Sequence, residues 1–417
     1  MQKDSGVPMS RSTEEVLADR APADDPSLRG SNQSGMRAHN ERLVLSLVRQ
    51  QGALAKSDIA RISGLSAQTV SVIMRSLEQD GLLVRGEPLR GRIGQPSVPM
   101  SLNAAGAYFL GLKIGRRSAD LTLIDFLGKV QATRRQIYRY PTPDAVMSFV
   151  ATALPSLLET LPVAARGRVG GMGVAMPFQL WSWVGYIGAP QAEMDTWRTR
   201  DIQAEIAAIA QMPVTIQNDA TAACGAELVF GTGERPKDFL YFYFGYFIGG
   251  GLVLNGQLFT GRTGNAAGVG PMPVPGRDGR MQRLMTMASM YTLSDAMEAA
   301  GEPSDALWAR PEQWDIPPDI LDDWMTGAAL GLASATLSAA TLIELDTVII
   351  DGWMPAKIRA QIVARTAEAL HKLDLAGVSA PVIREGTVGP EARALGAAAI
   401  PLSQRYMLDP GAVLKDG

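Results

Sequence analysis

The chain has 417 residues, 46% hydrophobic and 19% charged, a balance that suits a globular protein and a length that suits two or three domains rather than one core. No run of about 18 apolar residues occurs and the N-terminus carries no apolar signal core, so we expect a cytoplasmic protein with no membrane partner. Cys224 is the only cysteine and His39 and His371 are the only histidines, which excludes intramolecular disulfides and a Cys-rich structural zinc site. The net charge of -3 hides an asymmetry: Met36 to Met100 carries nine Lys or Arg against five Asp or Glu, so the remainder is acidic. A small basic segment on an acidic body points to a polyanionic partner for that segment.

Residues 1–35 mix Ser, Pro, Asp and Gly without apolar periodicity and are expected to form a disordered tail. Residues 36–102 then read as a winged helix-turn-helix. Leu43, Leu45, Leu47 and Val48 give a first helix its apolar side, and Gln51-Gly52 ends it. Ser57 is expected to cap a second helix holding Ile59, Ala60 and Ile62; Ser63-Gly64-Leu65 turns the chain, and Ser66 caps a third helix. In that third helix Val70, Ile73, Met74 and Leu77 fall at i, i+3, i+4 and i+7, which buries one stripe. Ser66, Ala67, Gln68, Thr69, Ser71 and Arg75 gather on the other side, near the helix start. Gly81 stops the helix, Leu82 to Arg85 can form a strand, and RGEPLRGRIGQPSVPMSL supplies a wing with Arg90, Arg92 and Gln95.

Two helices joined by a tight turn, the second with short polar side chains at its start, suit the major groove of double-stranded operator DNA. Gln68 and Ser71 are expected to read base edges, with Arg75, Arg90 and Arg92 on phosphates or the minor groove. The rival is a three-helix protein-interaction module with solvated arginines. The turn, the cap, Gln68 and the arginine cluster occurring together favour DNA.

After Leu102 the pattern becomes strand pairs. YFLGLKIG (108–115) with DLTLIDFLGKVQ (120–131) and DFLYFYFG (238–245) with GGLVLNGQLF (250–259) share one layout, ending in a glycine turn at Gly128 or Gly256. That echo suggests a duplicated α/β unit, two lobes facing a cleft. Helices near 143–160, 198–211, 219–230, 322–344, 355–373 and 391–402 alternate with strands 169–176, 213–217 and 346–351, as parallel sheets covered by helices require.

The winged helix, the two strand-Gly-strand units, NDATAACGAELVFGTG, IGGGLVLNGQLFTGRTGNA and DTVIIDGWMP together resemble the repressor branch of the ROK family of repressors and sugar kinases. The resemblance implies an actin-like, ribonuclease-H-like ATPase-type body over residues 103–417. Lobe one would span about 103–220 plus the C-terminal helix 391–405, and lobe two about 221–390. It also implies a homodimer or tetramer, an operator, and a sugar or sugar-derived effector.

Kinases of the family place Asp-x-Gly at the end of the first strand, whereas this chain has Lys113-Ile114-Gly115-Arg116-Arg117. Their second nucleotide loop reads Gly-Thr-Gly-Ile-Gly-Gly-Gly, and here it is Gly245-Tyr246-Phe247-Ile248-Gly249-Gly250-Gly251. Lysine cannot hold magnesium, and Phe247 replaces a glycine that lets backbone curl around phosphate. The sugar-binding Glu and zinc-binding His of Gly-Glu-Ile-Gly-His are replaced across Ala267, Gly268, Val269, Gly270 and Pro271. We therefore expect no catalytic residue, no metal and no cofactor. Asn218 and Asp219 either contact a ligand, with Pro177 and Gly268 alongside, or cap the following helix. Trp181, Trp183 and Tyr186 either stack on a ligand or pack. The main reading is a transcriptional repressor with an inactive kinase-like body; the alternative is an ATP-dependent sugar kinase with a DNA-binding appendage. A third is a regulator whose body serves assembly alone.

Overall fold

The computed structural model describes residues 33–88 and 98–408. The expected tail up to residue 32, and Arg90, Arg92 and Gln95 of the wing, lie outside the described residues. Helix α1 (Gln33–Gln51) begins three residues before the expected onset of order. It buries Val44, Leu45 and Val48, whereas Leu43 and Leu47 lie at the margins of its apolar side. Helix α2 (Lys56–Ser63) has Ala55 at its N-cap, with no side-chain cap. Ser57 is already inside the first turn, so the expected serine cap is corrected.

Helix α3 (Ala67–Gln79) is capped as expected: Ser66 Oγ accepts from the Thr69 backbone N–H at 3.1 Å, and Val70, Ile73, Met74 and Leu77 are buried. Strands β1 (Leu83–Arg85) and β2 (Met100–Leu102) pair antiparallel at the root of the wing. The core of this unit runs without interruption into the body through Phe109, Ile124, Phe126, Val229 and Leu402. The connection to the body is also pinned, since Asn103 Nδ2 donates to the Gly81 carbonyl at 2.7 Å and Arg49 donates to that of Phe126.

The first body sheet contains β3 (Tyr108–Ile114), β4 (Ser118–Asp125), β5 (Val130–Ile137), β6 (Val169–Met176) and β7 (Val214–Asn218), in the order β5-β4-β3-β6-β7. The second contains β8 (Phe239–Phe244), β9 (Ile248–Leu254), β10 (Gln257–Phe259), β13 (Thr347–Gly352) and β14 (Val382–Glu385), in the order β10-β9-β8-β13-β14. Two short strands, β11 (Pro273–Pro275) and β12 (Met281–Arg283), form a separate ribbon between them in sequence. Counted within each sheet the order is the same, three antiparallel strands followed by two parallel ones. The duplicated unit is thus present as topology. Each hairpin expected from the sequence carries a third strand beyond its glycine turn; in the first, VQATRRQI alternates exposed and half-buried residues and lacks the apolar run that marks its neighbours.

Helices α4 (Pro143–Leu158), α5 (Gln191–Thr199) and α6 (Ile202–Ala210) belong to the first lobe. Helix α5 was not expected, and α6 starts four residues later than the reading from the sequence, because Arg200 is extended and Asp201 caps a new helix. Helix α7 (Asp219–Phe230) follows β7, and α8 (Met290–Ala299), α9 (Pro318–Ala340), α10 (Ala356–His371) and α11 (Ala392–Tyr406) complete the principal helices. Helices α7 and α11 cross with very little clearance: a Cβ on Gly396 would lie 1.9 Å from the Ala222 carbonyl oxygen. Helix α7 also presses on β9, where a Cβ on Gly251 would lie 2.3 Å from Cys224 Cβ. Alanines and glycines occupy the crossing because no larger side chain fits between the backbones.

Candidate functional site

Two surfaces carry chemistry. On α3, Ser66, Ala67, Gln68 and Arg75 are exposed and Thr69 and Ser71 half-buried. Thr69 Oγ1 lies 2.8 Å from Ser66 Oγ, so it supports the cap, and Lys56 on α2 donates to Ser71 Oγ at 3.3 Å. Gln68, Val72 and Arg75, at i, i+4 and i+7, share one face, and Val72 is 55% exposed. Val72 escaped the sequence reading because an apolar residue next to an apolar stripe reads as core. Its position between two polar residues on the outer face was the available signal.

The second surface is a cavity of about 380 Å³ between the lobes. Pro177, Asn218, Asp219 and Gly268 all line it, together with Arg116, Thr263, Asn265 and Arg393. Asn218 ends β7, and its Oδ1 accepts from the backbone N–H groups of Ala220 and Thr221 at 3.0 and 3.2 Å, so it caps α7. Asp219 takes Arg393 of α11 as its ion-pair partner at 3.4 Å. Capping and cavity lining therefore coexist at this pair. Gly268 is backed by Asn265, whose Nδ2 would lie 3.0 Å from an added Cβ.

Burial pulls the Arg116 guanidinium down to about 10, with Asp219 opposing and Arg393 adding to the effect. Burial also acts downward on Arg393, but Tyr243 and Asp219 hold it above its ordinary value. Arg393 had no local signal in the sequence: it lies 174 positions from Asp219 and reaches the cleft only because α11 returns to cross α7.

The corner next to this cavity is filled. Lys113 is buried, with Nζ 2.8 Å from Asp120 Oδ2 and 2.7 Å from Ser118 Oγ, and Arg135 holds the other Asp120 oxygen. Burial draws Lys113 down to about 8 despite Asp120. Asp120 lies below the usual carboxylate range because Lys113 and Arg135 outweigh its own burial. Beside them Arg116 sits 4.3 Å over the Phe247 ring and Arg117 5.8 Å over Tyr246. Tyr186 of lobe one meets Phe247 and Tyr291 edge-on, and Tyr246 donates to the Tyr186 carbonyl at 2.6 Å. Only about 40 Å³ remains among Lys113, Gly115, Tyr246, Trp308 and Trp353.

Of the aromatics singled out in the sequence, Tyr186 joins this contact between lobes, and Trp181 packs on the lobe-one core under Arg198. Neither lines the 380 Å³ cavity. The Gly249-Gly250-Gly251 run also has another use than a phosphate loop, since it forms strand β9 and admits α7 against it. Among the described residues, no group of three His, Cys, Asp or Glu is placed to hold a metal ion, and no helix is long and apolar enough to cross a membrane.

This architecture is a DNA-binding winged helix set on a duplicated, kinase-fold body. The ROK family matches residues 109–288, and the winged helix-turn-helix DNA-binding family matches residues 37–84. The chain carries a ROK family domain behind a winged helix-turn-helix. It is 24% identical to the uncharacterised protein y4fQ of Sinorhizobium fredii, over 91% of this chain and 94% of that one. It is 20% identical to the xylose repressor of Bacillus subtilis, over 58% of this chain and 62% of the repressor, less than two thirds of its length. A solved ROK family transcriptional regulator, described as a homologue of the Escherichia coli MLC protein, superposes with a TM-score of 0.61 at 19% identity, covering 89% of this chain and 97% of that one.

Proposed function

We propose that the protein is a transcriptional repressor in which α3 reads operator DNA and the inter-lobe cavity holds a small effector. The carrying observation is the joint one: an exposed polar face on α3, in a unit whose core is continuous with that of a ROK body. The relatives named as xylose and N-acetylglucosamine repressors support the same reading. Gln68 and Ser71 read bases, with Arg75 on phosphate and Arg90, Arg92 and Gln95 extending the contact from the wing. Two copies of the reader in a homodimer would meet two half-sites, a geometry that a tetramer repeats. The effector is carbohydrate-related and sits against Asn218, Asp219, Pro177 and Gly268, and the protein works in the cytoplasm.

The body is not a kinase in this reading. Lys113 occupies the place of the magnesium-holding aspartate and is neutralised by Asp120, and the adjoining corner has room for a few waters rather than a nucleotide. Asp219, the residue that would orient a sugar hydroxyl, is tied to Arg393. A coupled ATPase assay over a panel of neutral sugars tests this directly. Background turnover is expected; sustained sugar-dependent turnover abolished by Asp219→Asn would establish the kinase instead.

A further inference from the structure

The cavity has more positive charge than its walls compensate. Arg116 and Arg393 line it, Asp219 is the one carboxylate among its lining residues, and the remaining lining side chains are uncharged. Asp219 is committed to Arg393. Arg116 has no ion-pair partner among the described residues, and the Nε atoms of both arginines are buried without a hydrogen-bond acceptor. The Phe247 face under Arg116 offsets part of this, but an aromatic face supplies no acceptor for the guanidinium N–H groups. Gly268 brings no side chain to the cavity, so Asp219 is the one lining carboxylate that faces the two arginines.

We infer that this cavity takes a small hydroxylated molecule carrying one oxyanion, a carboxylate or a phosphate, held by Arg116 with Arg393 beside it. The inference rests on the cavity being the effector site. Arginine suits the role because its planar fork gives two parallel donors to either oxyanion. Thr263, Asn265 and Asn218 supply neutral polar groups for hydroxyls, and the volume suits a molecule of monosaccharide size. An anion would add a partner for Arg116 without displacing Asp219 from Arg393.

The test uses the full-length protein and inorganic phosphate as the first probe. Thermal unfolding in phosphate is compared with chloride at equal pH and ionic strength, and hydrogen exchange of the wild type maps where phosphate protects. We expect a higher melting temperature in phosphate and protection at residues 176–180, 218–220 and 245–250. Arg116→Gln should weaken phosphate at least tenfold, with Arg116→Lys retaining part of the response. A second arm compares glucose with glucuronate and glucose 6-phosphate; the stronger of the two anions names the carboxylate or the phosphate as the group selected. Equal responses to phosphate and chloride, protection elsewhere, or an unchanged response in Arg116→Gln would overturn the inference, as would glucose binding as tightly as both anions. Because the exchange map is made on the wild type, a variant that fails to fold leaves the test intact. DNA retention by the same preparation is scored separately: protein that holds DNA but ignores phosphate sinks the anion site alone, and protein that captures phosphate but no DNA sinks the regulator.

Discussion

The Arg116 guanidinium lies 4.3 Å above the centre of the Phe247 ring, and the two residues come from opposite lobes. Arg116 follows β3 in one lobe and Phe247 precedes β9 in the other, so their contact joins the lobes across the cleft. Phe247→Ala should lower stability by about 2 kcal/mol, from lost packing plus the cation–π contact. Hydrogen exchange should accelerate together at Val184–Ile187 and Tyr243–Ile248. Acceleration confined to the second segment would mean that the ring does not bind the lobes together.

The Lys113–Asp120 pair gives a pH signature. Lys113 is drawn down to about 8 by burial, while in the unfolded chain it keeps its proton to about 10.4. Across that window the unfolded state binds more protons than the folded one, so stability rises with pH. Denaturant unfolding of the wild type and Lys113→Met at pH 7.5, 9 and 10 should show the difference shifting toward the wild type by about 1 to 3 kcal/mol. Asp120 behaves oppositely, being depressed by Lys113 and Arg135 despite its burial: its contribution is present above about pH 4 and is lost as pH falls through its folded value. A pH-independent difference between the two proteins would contradict the buried pair.

At the crossing of α7 and α11, Gly396→Ala should destabilise by about 3 kcal/mol or more, since its Cβ meets backbone rather than a movable side chain. Gly377→Ala, at φ +79° with open space around it, isolates the cost of a left-handed residue and should lose about 1 kcal/mol. Chemical denaturation of both separates close approach from backbone strain; equal losses would show that the crossing can yield.

Much of this fold was legible because burial repeats at fixed spacing. The 169–176 strand and the 219–230 helix appear at their expected limits, and Ser66 caps α3 as its position before the apolar stripe suggests. Strand β5 was not legible, since an edge strand with one solvated face has no apolar run to reveal it. The cavity was half legible. Asn218, Asp219, Pro177 and Gly268 line one cavity, but its positive charge comes from Arg116, visible in the sequence only as part of the Lys113–Arg117 run, and from Arg393, whose partner is distant in sequence. The aromatic contact needed the two lobes brought face to face before Tyr186 could be paired with Phe247 and Tyr291.

On the reader, three substitutions should separate by kind. Gln68→Ala should relax base preference at one position in each half-site, costing about 1 to 3 kcal/mol of discrimination. Val72→Ala should weaken sites bearing thymine under the helix, because its exposed methyls suit the thymine methyl group. Arg75→Ala should weaken all sequences alike and reduce the salt slope by about one. Selection from a randomised DNA pool at several salt concentrations reads all three. Identical base profiles for the wild type and Gln68→Ala would remove Gln68 from the groove.

The most direct measurement is the capture of genomic fragments by the purified full-length protein, followed by sequencing, with the Gln68→Ala, Arg75→Ala double variant in parallel. The account predicts a small set of enriched sites built from two related half-sites, lost or re-specified in the double variant. No enrichment over bulk DNA, or the same sites recovered equally by the double variant, would contradict a protein that reads an operator with α3.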